Sequence, residues 1–241
     1  MADGDAPAWG GAESIAATGR PLAVVGDPRW WLWVAATATG WIAATALDLI
    51  SLHLTVDLLA ASPLSAAVKL GVYGLCSGLL QAPLIARILT AVGPAAAVPD
   101  ASSDPGWAPH ALPEPYLFGA AWVLATTGGW VASAPLIQGI AAAFSSPLLP
   151  LGATQCLVLR RRLPLTSWWM LATLLSGFLP RSPLFNLQLV PPLSALPWPA
   201  SAAIVAGLMG AGAGAITGAM LLWLAATAVE VRSTIGAEVA A

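Results

Sequence analysis

Runs of predominantly apolar residues, approaching the roughly 20 that a helix needs to cross a hydrocarbon core, recur at 30–52, 65–89, 116–135, 146–160, 167–180 and 200–228. The fourth and fifth are short and tightly joined. Segment 136–150 (LIQGIAAAFSSPLLP) is apolar but broken by Pro147 and Pro150, so it extends the fourth span, kinks it or lies at the interface. Proline punctuates 93–115, which reads as a polar linker, and 180–199, which is too apolar for a solvated tail and suits a cap at the membrane surface. The pattern predicts an all-α membrane protein with six transmembrane helices, arranged as three tandem parallel two-helix hairpins. Its parts are a polar flexible N-terminal segment (1–29), hairpin 1 (30–92), the Pro-rich linker (93–115), hairpin 2 (116–162), hairpin 3 (163–229) with its Pro-rich outer loop at 180–199, and a C-terminal tail (230–241).

The hairpins rest on internal similarity. Spans one, three and five carry WVAATATGW (33–41), WVLATTGGW (122–130) and WMLATLLSG (169–177), which align without gaps as W-x-x-A-T-x-x-[G/S]. The shared positions are Trp33, Ala36, Thr37 and Gly40; Trp122, Ala125, Thr126 and Gly129; and Trp169, Ala172, Thr173 and Ser176. Offsets 0, 3, 4 and 7 fall on one helix face, and Trp41 and Trp130 extend it to offset 8. Spans two, four and six carry Gly74-xxx-Gly78-xx-Gln81, Gly152-xx-Gln155 and Gly214-xxx-Gly218. Between helices in lipid, close backbone approach at small residues and interhelical hydrogen bonds drive association. Gly40, Gly74, Gly78, Gly129, Gly152, Gly214, Gly218, Thr37, Thr126 and Thr173 are therefore the expected packing positions.

The helix W-x-x-A-T-x-x-G, followed by G-x-x-Q-x-L-V-L-R-R-R-L and a WW pair, resembles a group of uncharacterised multi-pass bacterial membrane proteins that repeat such units. The likeness is strongest over 152–177 (GATQCLVLRRRLPLTSWWMLATLLSG), partial over 30–92 and faint beyond 180. It implies a fold and no activity.

Composition narrows the solvent. Of 241 residues 8% are charged and 58% hydrophobic, against about 25% charged in an ordinary soluble domain, and the mean hydropathy is +0.81. A water-facing surface cannot be built from that, which excludes a soluble enzyme or a nucleic-acid binder. The basic residues set an orientation. With the N-terminus inside, Arg20, Arg29, Arg87, Arg160, Arg161, Arg162 and Arg232 fall on the inner side, and Lys69 and Arg181 fall outside. Both termini are thus expected in the cytoplasm, and the resemblance implies the inner membrane of a bacterium. The cluster Arg160, Arg161 and Arg162 reads as topogenic, with an anionic-lipid or acidic-partner site as the other reading. Ala44-Thr45-Ala46 offers an A-x-A cleavage site, but its helix is echoed twice later in the chain and is expected to be retained.

Little chemistry is on offer. Every charge falls near a predicted helix end, so ion-coupled transport lacks its usual intramembrane carboxylate or guanidinium. Asp48 and Lys69 are placed to pair across hairpin 1. There is no HExxH, no GxSxG and no paired carboxylates, and the two histidines, His53 and His110, sit in an outer loop and the linker. Cys76 and Cys156 lack metal or redox spacing. No catalytic residue, metal or cofactor is expected. Gln81 and Gln155 are the strongly polar groups placed deepest, either as interhelical hydrogen bonds or as a polar lining. The first reading is a non-catalytic accessory or scaffold subunit of an inner-membrane assembly, its partners being membrane lipids and other membrane subunits or its own copies. The alternative is a channel or carrier for a small neutral or apolar solute, and the weaker alternative a quinone- or pigment-binding subunit.

Overall fold

The structure, a computed structural model, describes residues 25–54, 63–92, 114–138, 148–178 and 195–240. These form six helices and no strands: α1 (Pro28–Leu54), α2 (Pro63–Val92), α3 (Glu114–Gln138), α4 (Leu149–Leu159), α5 (Ser167–Ser176) and α6 (Trp198–Ala240). Five of them open with proline at the first or second position: Pro28, Pro63, Pro115, Pro150 and Pro199. Proline fits there because its missing N–H has no intrahelical partner to lose and its φ is already helical. Before α1, Asp27 adds a side-chain cap by accepting the backbone N–H of Arg29 at 2.8 Å, which satisfies one orphan donor of the first turn.

Four stretches are long and apolar enough to cross a membrane: Pro28–Ile50, Leu64–Val92, Pro115–Pro135 and Trp198–Thr234. The fourth and fifth predicted spans appear as helices of 11 and 10 residues, about 16 and 15 Å long by helical rise. Arg160, Arg161, Arg162 and Pro164 end the first of these, and the chain reverses through Leu165, whose left-handed φ of 56° strains a branched side chain by about 1–2 kcal/mol. The 139–147 stretch and most of the 180–199 loop lie outside the described residues, as do the N-terminal segment to residue 24 and linker residues 93–113. The last helix continues through the predicted tail to Ala240.

Each helix packs on its neighbours in chain order, and α6 returns against α1, so the six close into a ring; α2 also touches α6 across it. Large apolar side chains such as Leu79, Leu124, Leu157 and Leu208 face outward, as a lipid solvent allows. Inside the ring lie two apolar layers. One is built on Trp33, Trp122 and Trp169 with Ile85, Leu89, Leu159 and Leu221. The other is built on Trp41 and Trp130 with Leu148, Leu151 and Ala213. Trp33 and Trp41 are eight residues apart on one helix, so the layers stand about 12 Å apart, with a polar tier between them.

Candidate functional site: a buried Trp, Gln and Thr tier

Helical periodicity places Trp at offset 0 and Thr at offset 4 of each W-x-x-A-T motif on the same inward face. Trp33, Trp122 and Trp169 are each at most 1% exposed, and their rings meet edge to face at centroid distances of 5.7, 5.7 and 6.2 Å. Such contacts favour the aromatic quadrupole geometry. The indole N–H of each, buried in apolar surroundings, needs an acceptor. Trp122 Nε1 donates to Gln81 Oε1 at 3.1 Å and Trp169 Nε1 to Gln155 Oε1 at 3.1 Å.

The other end of each glutamine is also engaged. Gln81 Nε2 donates to Thr37 Oγ1 at 2.9 Å, and Gln155 Nε2 to Thr126 Oγ1 at 3.1 Å. An indole nitrogen only donates, so the glutamine atom facing it must be the carbonyl oxygen, which fixes the amide orientation. Thr37 passes its own proton to the Trp33 carbonyl at 2.8 Å, and Thr173 does the same to Trp169 at 2.9 Å. That back-bond, available to Thr four residues on, leaves the Thr37 oxygen free to accept the amide. Each glutamine therefore ties the Thr of the helix before it to the Trp of the helix after it.

The third indole shows what replaces glutamine. Trp33 Nε1 donates to Thr217 Oγ1 at 3.1 Å, and Thr217 donates to the Ala213 carbonyl at 2.8 Å. Thr217 follows Gly214 by three residues, the spacing of Gln81 after Gly78 and Gln155 after Gly152. That shared G-x-x-[Q/T] offset marks Thr217 as a third bridging residue, one that the glutamine pattern does not contain.

The glycines lie where the helices approach most closely. A Cβ built on Gly78 would stand 3.1 Å from Val123 Cα, one on Gly152 3.2 Å from Thr173 Cβ and 3.5 Å from Met170 Cα, and one on Gly214 3.0 Å from Val34 Cα. Val34, Val123 and Met170 are the residues after the three tryptophans, so the same backbone approach recurs at α6/α1, α2/α3 and α4/α5. Further along, a Cβ on Gly40 would meet Ser77 Cα at 2.8 Å, on Gly74 Thr127 Cα at 2.6 Å, on Gly129 Leu151 Cα at 2.6 Å, and on Gly218 Trp33 Cδ1 at 2.8 Å. Gly210, which the glycine stripes omit, is as tight, at 2.9 Å from Ala38 Cα.

Between the tryptophan layers is a cavity of about 40 Å³ whose polar lining includes Thr37, Ser77, Gln81, Gln155, Thr173 and Thr217. None of its lining residues is charged. It exceeds the roughly 10–15 Å³ one water requires and falls far below the ~300 Å³ of small-molecule sites. Ser77 Oγ is buried beside it without a hydrogen-bond partner, so the hydroxyl has a bond left to make with a small polar occupant.

Other sequence-singled residues sit apart. Arg160 and Arg161 are exposed, whereas Arg162 turns into the bundle, 8% exposed, with its guanidinium 5.0 Å over the Phe118 ring. Asp48 and Lys69 pair at 3.1 Å between α1 and α2, near the Thr45 to Tyr73 hydroxyl contact of 2.6 Å. Cys76 and Cys156 are free thiols, the latter donating to the Thr166 carbonyl at 3.0 Å. No known protein family, curated protein or solved structure matches this chain.

Proposed function

We infer that the chain is a non-catalytic integral membrane protein serving as an accessory or scaffold subunit, with the Trp, Gln and Thr tier as the glue of its bundle. The observation that carries this reading is that Gln81 and Gln155 have both amide ends engaged by side chains of neighbouring helices. A solute path asks for polar groups left free to exchange partners. Here the polar groups hold one another, and the space they leave has room for only a few waters.

The same reading takes the bundle as three tandem parallel hairpins, α1/α2, α3/α4 and α5/α6, each joined to the next through Trp, Gly and either Gln or Thr. It sets the chain in the bacterial inner membrane with both termini cytoplasmic. The basic end supports that orientation: Arg29 and Arg87 line one groove, Arg162 covers Phe118 and Arg232 bonds the Val92 carbonyl, all at the end of the ring opposite Asp48 and Lys69. Ser77 favours the second reading, a channel or carrier for a small neutral solute, because its hydroxyl is unpartnered beside the cavity.

Gln81→Leu and Gln155→Leu separate the two. Under the scaffold reading each lowers the melting temperature modestly, by about 1–2 kcal/mol of stability, and leaves the permeability of reconstituted vesicles to water and small neutral solutes at the protein-free level, as in the parent. Parent-dependent flux that either variant abolishes without loss of stability establishes the path reading instead.

A further inference from the structure

We propose that the lipid-facing groove along α2, flanked by α3 and at its mouth by α1, is a binding site for an anionic phospholipid, with the phosphate on Arg87 and an acyl chain along the groove. This rests on the chain being an integral membrane protein and is independent of its scaffold role. The groove encloses about 830 Å³, within the size range of small-molecule sites. Its walls are apolar, built from Leu79, Pro83 and Ala86 on α2 and Ala120 and Val123 on α3.

Sequence explains the trough. Pro83 sits inside α2 and cannot donate to the carbonyl four residues before it. Ala82 faces Gly119 across the floor, where a Cβ on Gly119 would stand 3.6 Å from Ala82 Cβ. Small residues bring the two backbones together, and the larger side chains on either side rise as banks.

The charge at one end selects the occupant. Arg29 and Arg87 both line the mouth. Arg29 is neutralised by Asp27, which accepts from its Nε at 3.0 Å and its Nη2 at 2.5 Å. Arg87 is exposed, and no ion pair or hydrogen bond of its side chain falls among the described residues. Its guanidinium stands five residues before the end of an apolar helix, a place where a cation is held by an anion or reaches for the headgroup layer. A phosphate diester matches the planar donor fork. From Arg87 to Leu79 the groove descends eight residues, about 12 Å, into the lipid-facing surface. A free phosphate has no use for those apolar walls, whereas an acyl chain continuous with the headgroup fills them. Basic pockets between membrane helices are a recognised place for anionic headgroups.

The test is native mass spectrometry of the full chain in detergent, titrated with phosphatidylglycerol and phosphatidylethanolamine of the same acyl chains. The parent should retain phosphatidylglycerol about tenfold more tightly than phosphatidylethanolamine, and Arg87→Gln should remove that preference while Arg87→Lys keeps part of it. Ala120→Trp, which fills the groove from its exposed side, should weaken both lipids. Arg161→Gln, on the separate α3/α4 groove lined by Leu117 and Leu157, should leave the preference intact. Melting curves on each variant establish that it is folded. Equal binding of the two lipids by the parent, a preference that survives Arg87→Gln, one that moves with Arg161, or displacement by millimolar inorganic phosphate overturns the proposal.

Discussion

The seams α2/α3 and α4/α5 are bridged by glutamine, and the seam that closes the ring, α6/α1, is bridged by threonine. A glutamine reaches two helices at once: Gln81 bonds Thr37 behind it and Trp122 ahead of it. Thr217 has one hydroxyl, which it spends on its own helix and on accepting Trp33. Close backbone approach, which all three seams share, is therefore what the closing seam leans on most. Gly210, Gly214 and Gly218 all press on α1, and Trp30 Nε1 donates to the Ala215 carbonyl at 3.0 Å. One ring thus holds two seams that add a bifunctional side chain to backbone approach and one that does without it.

The comparison breaks most sharply at glycine. Gly214→Leu should cost more than about 3 kcal/mol, since the new side chain meets Val34 Cα and Thr37 Cβ with nowhere to move; loss of monodisperse protein on size exclusion reads this out. Gly128→Leu is its control, because a Cβ there meets nothing within 4 Å, and it should stay within about 0.5 kcal/mol of the parent. A smaller effect sharpens the contrast between the bridges. Thr217→Val removes one interhelical acceptor while keeping the shape, so it should lower stability by about 0.6 kcal/mol, roughly half the loss from Gln81→Leu. Equal losses in thermal melts would mean that the second arm of the glutamine contributes nothing.

The four long helices were legible because each is a long apolar run, and the pairing of Asp48 with Lys69 was legible from their facing places on hairpin 1. The short α4 and α5 were legible as short, tightly joined apolar runs but not as helices of 11 and 10 residues, because apolar content alone does not register that RRRLP ends one and that the next closes at Ser176. The far end of α6 was missed for the opposite reason: Glu230 and Arg232 look like a tail, yet both are good helix formers, and Arg232 is held by the Val92 carbonyl. For the site, the spacing of Trp, Thr, Gly and Gln was visible. What each glutamine holds was not, since Trp122 lies 41 residues from Gln81 and the indole partner follows only from how α2 packs on α3. Thr217 was hidden because a lone threonine is common in an apolar helix, whereas the geometry asks only for an acceptor three residues after a close-packed glycine.

On the scaffold reading, the indole and glutamine groups stabilise the bundle as pairs. A double-mutant cycle on Gln155→Leu and Trp169→Phe, read by equilibrium unfolding in detergent micelles, addresses it directly because the cycle removes the volume change of each single substitution. A coupling of about 0.6–1.7 kcal/mol is predicted for the 3.1 Å bond between them. Losses that add to within about 0.3 kcal/mol would contradict the account.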